Sequence, residues 1–149
     1  MTAEAITSLG KVGAAIGVSL SAVGSALGTG VAGMAAVGAW KKCYAQNKMA
    51  PFLLVAFVGA PITQTFYGLI VMLTLNGKAA DGAAFQGLIG WGLFAGLAIG
   101  MSAWMQGKTG AAASDALAET GKGFANYLMA LGVIESVALF VMIFTLIGA

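Results

Sequence analysis

The sequence predicts an all-α membrane protein of four transmembrane helices, arranged as two tandem, related hairpins. Three observations predict it. The chain is 60% hydrophobic and only 8% charged, against about 25% charged residues in an ordinary soluble domain. Its few charges fall in clusters that leave four long apolar runs between them. The second pair of runs repeats landmarks of the first.

The runs follow from where the charges stop. Glu4 and Lys11 precede the first, Lys41, Lys42 and Lys48 separate it from the second, Lys78 and Asp81 precede the third, and Lys108 to Lys122 precede the last. Helices are placed at about 11–40, 51–75, 84–113 and 124–148, each exceeding the roughly 20 residues that cross a bilayer core. Lipid offers the backbone no hydrogen-bonding partner, so each run is expected to be helical.

The first hairpin, 1–75, and the second, 76–149, align with a shift. Ser25-Ala26 and Gly30 match Ser102-Ala103 and Gly107 at an offset of 77, while Thr74-Leu75 matches Thr145-Leu146 at 71. At the second offset Gln64 falls on Glu135, and at the first Thr29 falls on Gln106. The difference is assigned to a longer first loop, Lys41 to Pro51. Reflecting positions through the hairpin loops puts Thr29, Gln64, Gln106 and Glu135 at similar depth, in one polar layer.

Helices one and three carry small-residue stripes: Gly13, Gly17, Ser21, Gly24 and Gly28, then Gly92, Gly96, Gly100, Ala103, Gly107 and Gly110. Such stripes let helix backbones approach closely in lipid. They serve either packing within one four-helix bundle or assembly of many copies, and both readings stay open on spacing alone. Helices two and four carry Phe, Leu, Ile, Val and Met all round, as an outer layer facing lipid would.

Composition also excludes. Net charge is +2 with no Arg and no His, too weak and dispersed for nucleic acid. Cys43 is the only cysteine, so no intrachain disulfide forms and no thiol–imidazole site for zinc or copper can be assembled. Any bound ion must take oxygen ligands. MTAEAITSLGKVGA has no basic cluster before its apolar run and is read as mature protein rather than a leader. Five of seven lysines flank the hairpin loops, which predicts cytoplasmic loops with both termini outside the cell membrane.

Glu135 stands alone near the middle of the fourth run, where an ionised side chain costs from about 2.5 to more than 10 kcal/mol. An isolated acid at that depth marks an ion path, whereas a protonated acid acting as interhelical glue contributes only about 0.6 kcal/mol. Thr63, Gln64 and Tyr67 on helix two and Gln106 on helix three surround that depth, with Tyr67 sharing a helix face with both Thr63 and Gln64. Pro61 removes a bond to the Phe57 carbonyl and bends helix two, which can open nearby carbonyls to an ion. A proton needs only the carboxylate and one partner; a sodium-sized cation needs several oxygens to replace its water.

Three segments carry a resemblance: Pro61-Ile62-Thr63-Gln64-Thr65-Phe66-Tyr67-Gly68, Gln106-Gly107-Lys108 and Val133-Ile134-Glu135. Together they resemble the K- or c-type proteolipid, the rotor-ring subunit of V-type rotary ATPases, of the sodium-translocating bacterial kind. The resemblance implies a homo-oligomeric ring of doubled hairpins in which only the second keeps its carboxylate. It implies Na+ bound by Glu135, Gln106, Gln64, Thr63 and the Ala60 carbonyl, with Tyr67 hydrogen-bonded to Glu135. Ala60 and Ile62 flank Pro61 where close relatives have leucine and glycine. Implied partners are further copies of the chain, a stator membrane subunit supplying a cationic residue, central stalk subunits and the lipid bilayer. No G-x-x-x-x-G-K-[ST] motif is present, so the chain is expected not to be an enzyme by itself, with ATP hydrolysed elsewhere.

Three rivals remain at this stage. The same rotor can carry H+ instead of Na+. A small four-helix proton-coupled multidrug transporter also uses a membrane glutamate, but needs a roomy aromatic pocket that glycine stripes would close. A structural pore or membrane-fusion protein would be indifferent to Glu135→Gln.

Overall fold

The computed structural model describes residues 2–149, and among them all regular structure is helical. Helix α1 runs Ala3–Ala45, α2 Leu54–Gly59, α3 Thr63–Ala80, α4 Phe85–Thr120 and α5 Phe124–Gly148. A single 3-10 turn, Ala60–Ile62, joins α2 to α3, so the four spans are α1, Leu54–Ala80, α4 and α5.

Helix ends differ from the sequence placement because charge marks the membrane boundary, not the helix boundary. α1 starts at Ala3 rather than near 11, where the Thr2 hydroxyl accepts the Ala5 N–H at 3.3 Å and Glu4 sits in the first turn. It continues past Lys41 and Lys42 to Ala45. With 43 residues it is about 64 Å long, roughly twice the hydrocarbon core. The second span begins at Leu54 and reaches Ala80 instead of 75. α4 runs to Thr120 rather than 113, and Gly121 (φ 65°) closes it by donating to the Leu117 carbonyl. Its extension is water-facing: exposed Glu119 pairs with Lys42 of α1, and Asp115 lies 4.0 Å from the same ammonium. The first loop is correspondingly shorter than Lys41 to Pro51, covering 46–53, and the Trp40 indole pins it by donating to the Pro51 carbonyl at 2.8 Å.

Spans one and three run parallel, backbone against backbone. A Cβ on Gly92 would lie 1.8 Å from the Gly13 carbonyl oxygen, and one on Gly24 would lie 2.1 Å from that of Gly100. Only hydrogen fits there. Both glycine stripes are therefore used within one chain. Span two runs antiparallel to span one, with Gly68 against Ser21 and Val71 against Gly17.

The outer layer is less uniform than expected. Span four buries only Leu131, Ala138 and Thr145, one residue every two turns; it lies mainly on span three and touches span two along one edge. Span two instead buries a full stripe that includes Phe57, Gln64, Val71, Leu75 and Ala79. Two apolar clusters fill the interior. One gathers Val71, Leu75, Leu88, Ile99 and Ala138; the other, towards the hairpin loops, gathers Leu54, Phe57, Ala113, Leu117 and Leu131. The polar layer lies between them, where Gln64 and Gln106 are fully buried.

Candidate ion-binding site

Pro61 creates the first half of the site. It lacks an N–H, so α2 cannot continue as α-helix through it, and the chain tightens into the 3-10 turn Ala60–Ile62. The Thr63 N–H then bonds the Ala60 carbonyl, and the Thr63 hydroxyl lies 2.9 Å from that same oxygen. The hydroxyl is also 3.1 Å from Gln64 Oε1. One hydroxyl proton faces two acceptors, so one of these inward oxygens always keeps a lone pair unshared.

The second half is built by Gln106. Its Nε2 donates to the Leu131 carbonyl at 3.0 Å and to Glu135 Oε2 at 3.2 Å, which uses both amide protons. Its Oε1 accepts from Gln64 Nε2 at 2.8 Å. The phenol of Tyr67 donates to Glu135 Oε1 at 2.6 Å, a short bond of the charge-assisted kind. Each carboxylate oxygen thus accepts one bond and retains lone pairs.

Ala60, Thr63, Gln64, Gln106, Glu135 and Tyr67 consequently form one continuous hydrogen-bonded chain across spans two, three and four. Glu135 is half-buried at its end. Two further contributors carry no strong sequence signal. Ser102 donates to the Ile134 carbonyl at 2.8 Å, and the Leu131 carbonyl receives Gln106; both fix span four against span three. In the sequence the serine stands out as a repeat landmark aligned with Ser25 and as the residue one turn before Gln106 on the same face, neither of which marks it as part of the site. Thr29, expected in the same layer, does not join the network: its hydroxyl, like that of Ser25, is buried without a hydrogen-bonding partner. A threonine is too short to replace the glutamine it aligns with.

Chemically the donors are one carboxylate, two amides, a hydroxyl and a main-chain carbonyl. Among the described residues no three His, Cys, Asp or Glu side chains come together, so the set suits a hard monovalent cation better than a transition metal.

The family model for the C subunit of ATP synthase matches residues 89–147. This stretch is most of span three and nearly all of span four, and it contains both Gln106 and Glu135. Over this stretch the second hairpin is similar to that family. No curated protein matches the chain. Members of that family form oligomeric rings and are not catalytic by themselves; the four long apolar helices of this chain make it a multi-pass membrane protein.

Proposed function

We propose that this proteolipid is the rotor subunit of a V-type rotary ATPase and that each copy carries one Na+ at Glu135. The observation that supports it is the oxygen-rich chain around that carboxylate. Glu135, Gln106, Gln64, Thr63 and the Ala60 carbonyl together can replace the water of a sodium-sized ion. A proton carrier would need little beyond Glu135 and Tyr67.

With a cation bound the carboxylate is neutralised and tolerates hydrocarbon; empty, it does not. Rotation in one direction therefore passes only loaded sites through lipid, and each emptied site waits for a water-accessible stator face. The chain has no Arg, so the cation that displaces Na+ comes from a stator subunit. Central stalk subunits driven by ATP hydrolysis turn the ring from the hairpin-loop side, which the lysine distribution puts in the cytoplasm with both termini outside. A multidrug transporter is disfavoured by the backbone-to-backbone seam, which leaves no aromatic chamber between spans one and three.

Labelling of Glu135 by a carboxyl-reactive carbodiimide tests the ion. Labelling falls as pH rises in either case, because the reagent attacks the protonated acid. For a sodium carrier, millimolar Na+ slows it further where the carboxylate is ionised, and the protection fades as falling pH lets protons compete for the same group; a rate independent of Na+ across the whole pH range would leave the same rotor carrying H+.

A further inference from the structure

Pro61 brings no N–H to the carbonyl of Phe57, one helical turn earlier, and that oxygen turns to a neighbouring span. It points at span three, where a Cβ on Gly110 would lie 2.8 Å from it and 3.5 Å from its carbonyl carbon. The proline ring rests on span one, where a Cβ on Gly28 would lie 2.9 Å from Pro61 Cβ. The bend in span two therefore bears on two glycines, through the residues before and after Ala60.

Phe57 has little freedom to yield. Its side chain is fully buried and packs on Phe124 and Tyr127 of span four, with ring centroids 5.4 Å and 6.3 Å away. Its carbonyl belongs to the peptide plane and has no rotamer to change. Ala60 follows within the same turn, its N–H bonded to the Ala56 carbonyl, and its own carbonyl holds the Thr63 N–H and hydroxyl. A shift at Phe57 is thus passed to the neutral oxygens of the ion site. Nearby glycines make no such contact: a Cβ on Gly59 would meet nothing within 4 Å, and one on Gly33 would meet Val58 Cγ1 at an ordinary 3.6 Å.

We propose that Gly28 and Gly110 are positioning residues for the cation: together they form a notch between spans one and three that receives the proline bend and sets where the Ala60 carbonyl and Thr63 stand. The base of the notch is fixed, since Gly28 also lies backbone to backbone against Ala103 and Gly107. Ligands of a bound ion must keep their places to within a few tenths of an ångström, and an added methyl on Gly110 would drive the Phe57 carbonyl off by a similar amount. Gly110 is the cleaner of the two to alter. Its nearest contacts are the Phe57 carbonyl and the Ala32 Cβ at 3.4 Å, whereas a Cβ on Gly28 would also lie 2.3 Å from the Ala103 carbonyl oxygen. This assignment rests on the reading of Glu135 as a cation site.

Carbodiimide labelling of Glu135 in membranes tests it. Gly110→Ala should raise the sodium concentration for half-protection about tenfold and leave the pH dependence of labelling without sodium unchanged, because Tyr67 and Gln106 still hold the carboxylate. A general loss of packing would move both. Gly59→Ala, which adds a methyl beside Ala60 in open space, should change neither. Pro61→Ala returns an N–H to the Phe57 carbonyl and takes the ring off Gly28, so Gly110→Ala added to it should shift protection little further. If Gly110→Ala alone fails to assemble, Pro61→Ala should restore assembly. The notch is overturned if Gly110→Ala is protected at wild-type sodium concentrations, if it shifts the sodium-free pH dependence as well, if Gly59→Ala weakens protection equally, or if Pro61→Ala neither blunts its effect nor restores assembly. Full protection in both wild type and Gly110→Ala removes only the notch; a wild-type chain unprotected by sodium at any pH removes the cation reading and the notch with it.

Discussion

The two hairpins repeat one plan yet divide its chemistry. In the second, Glu135 supplies the charge, Gln106 anchors it, and Ser102 ties span three to span four through the Ile134 carbonyl. At the aligned places in the first stand Gln64, Thr29 and Ser25, and the two hydroxyls have no partner. The first hairpin carries instead what the second lacks: Pro61 where Gly132 aligns, and hence the 3-10 turn that directs the Ala60 carbonyl and Thr63 inward. Span four remains an unbroken helix. One half contributes neutral oxygens on a bent segment, the other a negative charge on a straight one. The comparison teaches that the two halves share one hydrogen-bonded network, and that neither hairpin holds all of it.

The contrast can be erased at its strongest point. Glu135→Gln makes the second hairpin as neutral as the first; ion transport by the assembled complex should vanish and carbodiimide labelling with it, while the ring still assembles. A structural pore would keep its function. Next, Gln106→Leu should raise the sodium concentration for half-protection of Glu135 about 10- to 100-fold, the usual loss when a group orienting an ion ligand is removed. Thr29→Val at the aligned place should leave it unchanged. Tyr67→Phe removes one bond to Glu135 but no proposed ion ligand, so a shift of about tenfold, near 1.4 kcal/mol, is expected in the same titration. The smallest effect sharpens the comparison most: Ser102→Ala should lower stability in detergent by about 0.6 kcal/mol, a typical interhelical bond in a membrane. Ser25→Ala should be neutral or slightly stabilising, since it deletes a buried hydroxyl that satisfies nothing. Equal losses at both serines, read by thermal unfolding, would contradict the asymmetry.

Much of this is legible in the sequence, for identifiable reasons. Four apolar runs announce spans because a bilayer allows few alternatives, and glycine spacing announces close helices because only glycine lets backbones meet. The polar residues around Glu135 stand out against hydrocarbon, and the geometry brings together Thr63, Gln64, Tyr67, Gln106 and Glu135. Helix ends are poorly legible: Asp115 and Glu119 signal water, yet α4 continues through both and an ion pair with Lys42 steadies the extension. Nor can sequence reveal that the Leu131 carbonyl receives Gln106, since main-chain acceptors carry no residue signature. Thr29 shows the limit of alignment. Depth is inherited through the repeat, but reach depends on side-chain length.

The seam between spans one and three has a mechanical consequence. Gly13, Gly24, Gly92 and Gly100 touch through peptide groups, which have no rotamers to exchange and almost no compressible space. A twisting force applied at the loops therefore finds nothing soft along this line, and both hairpins respond as one stiff unit. Whatever elastic give the molecule possesses must reside elsewhere, where longer side chains can bend before backbones do.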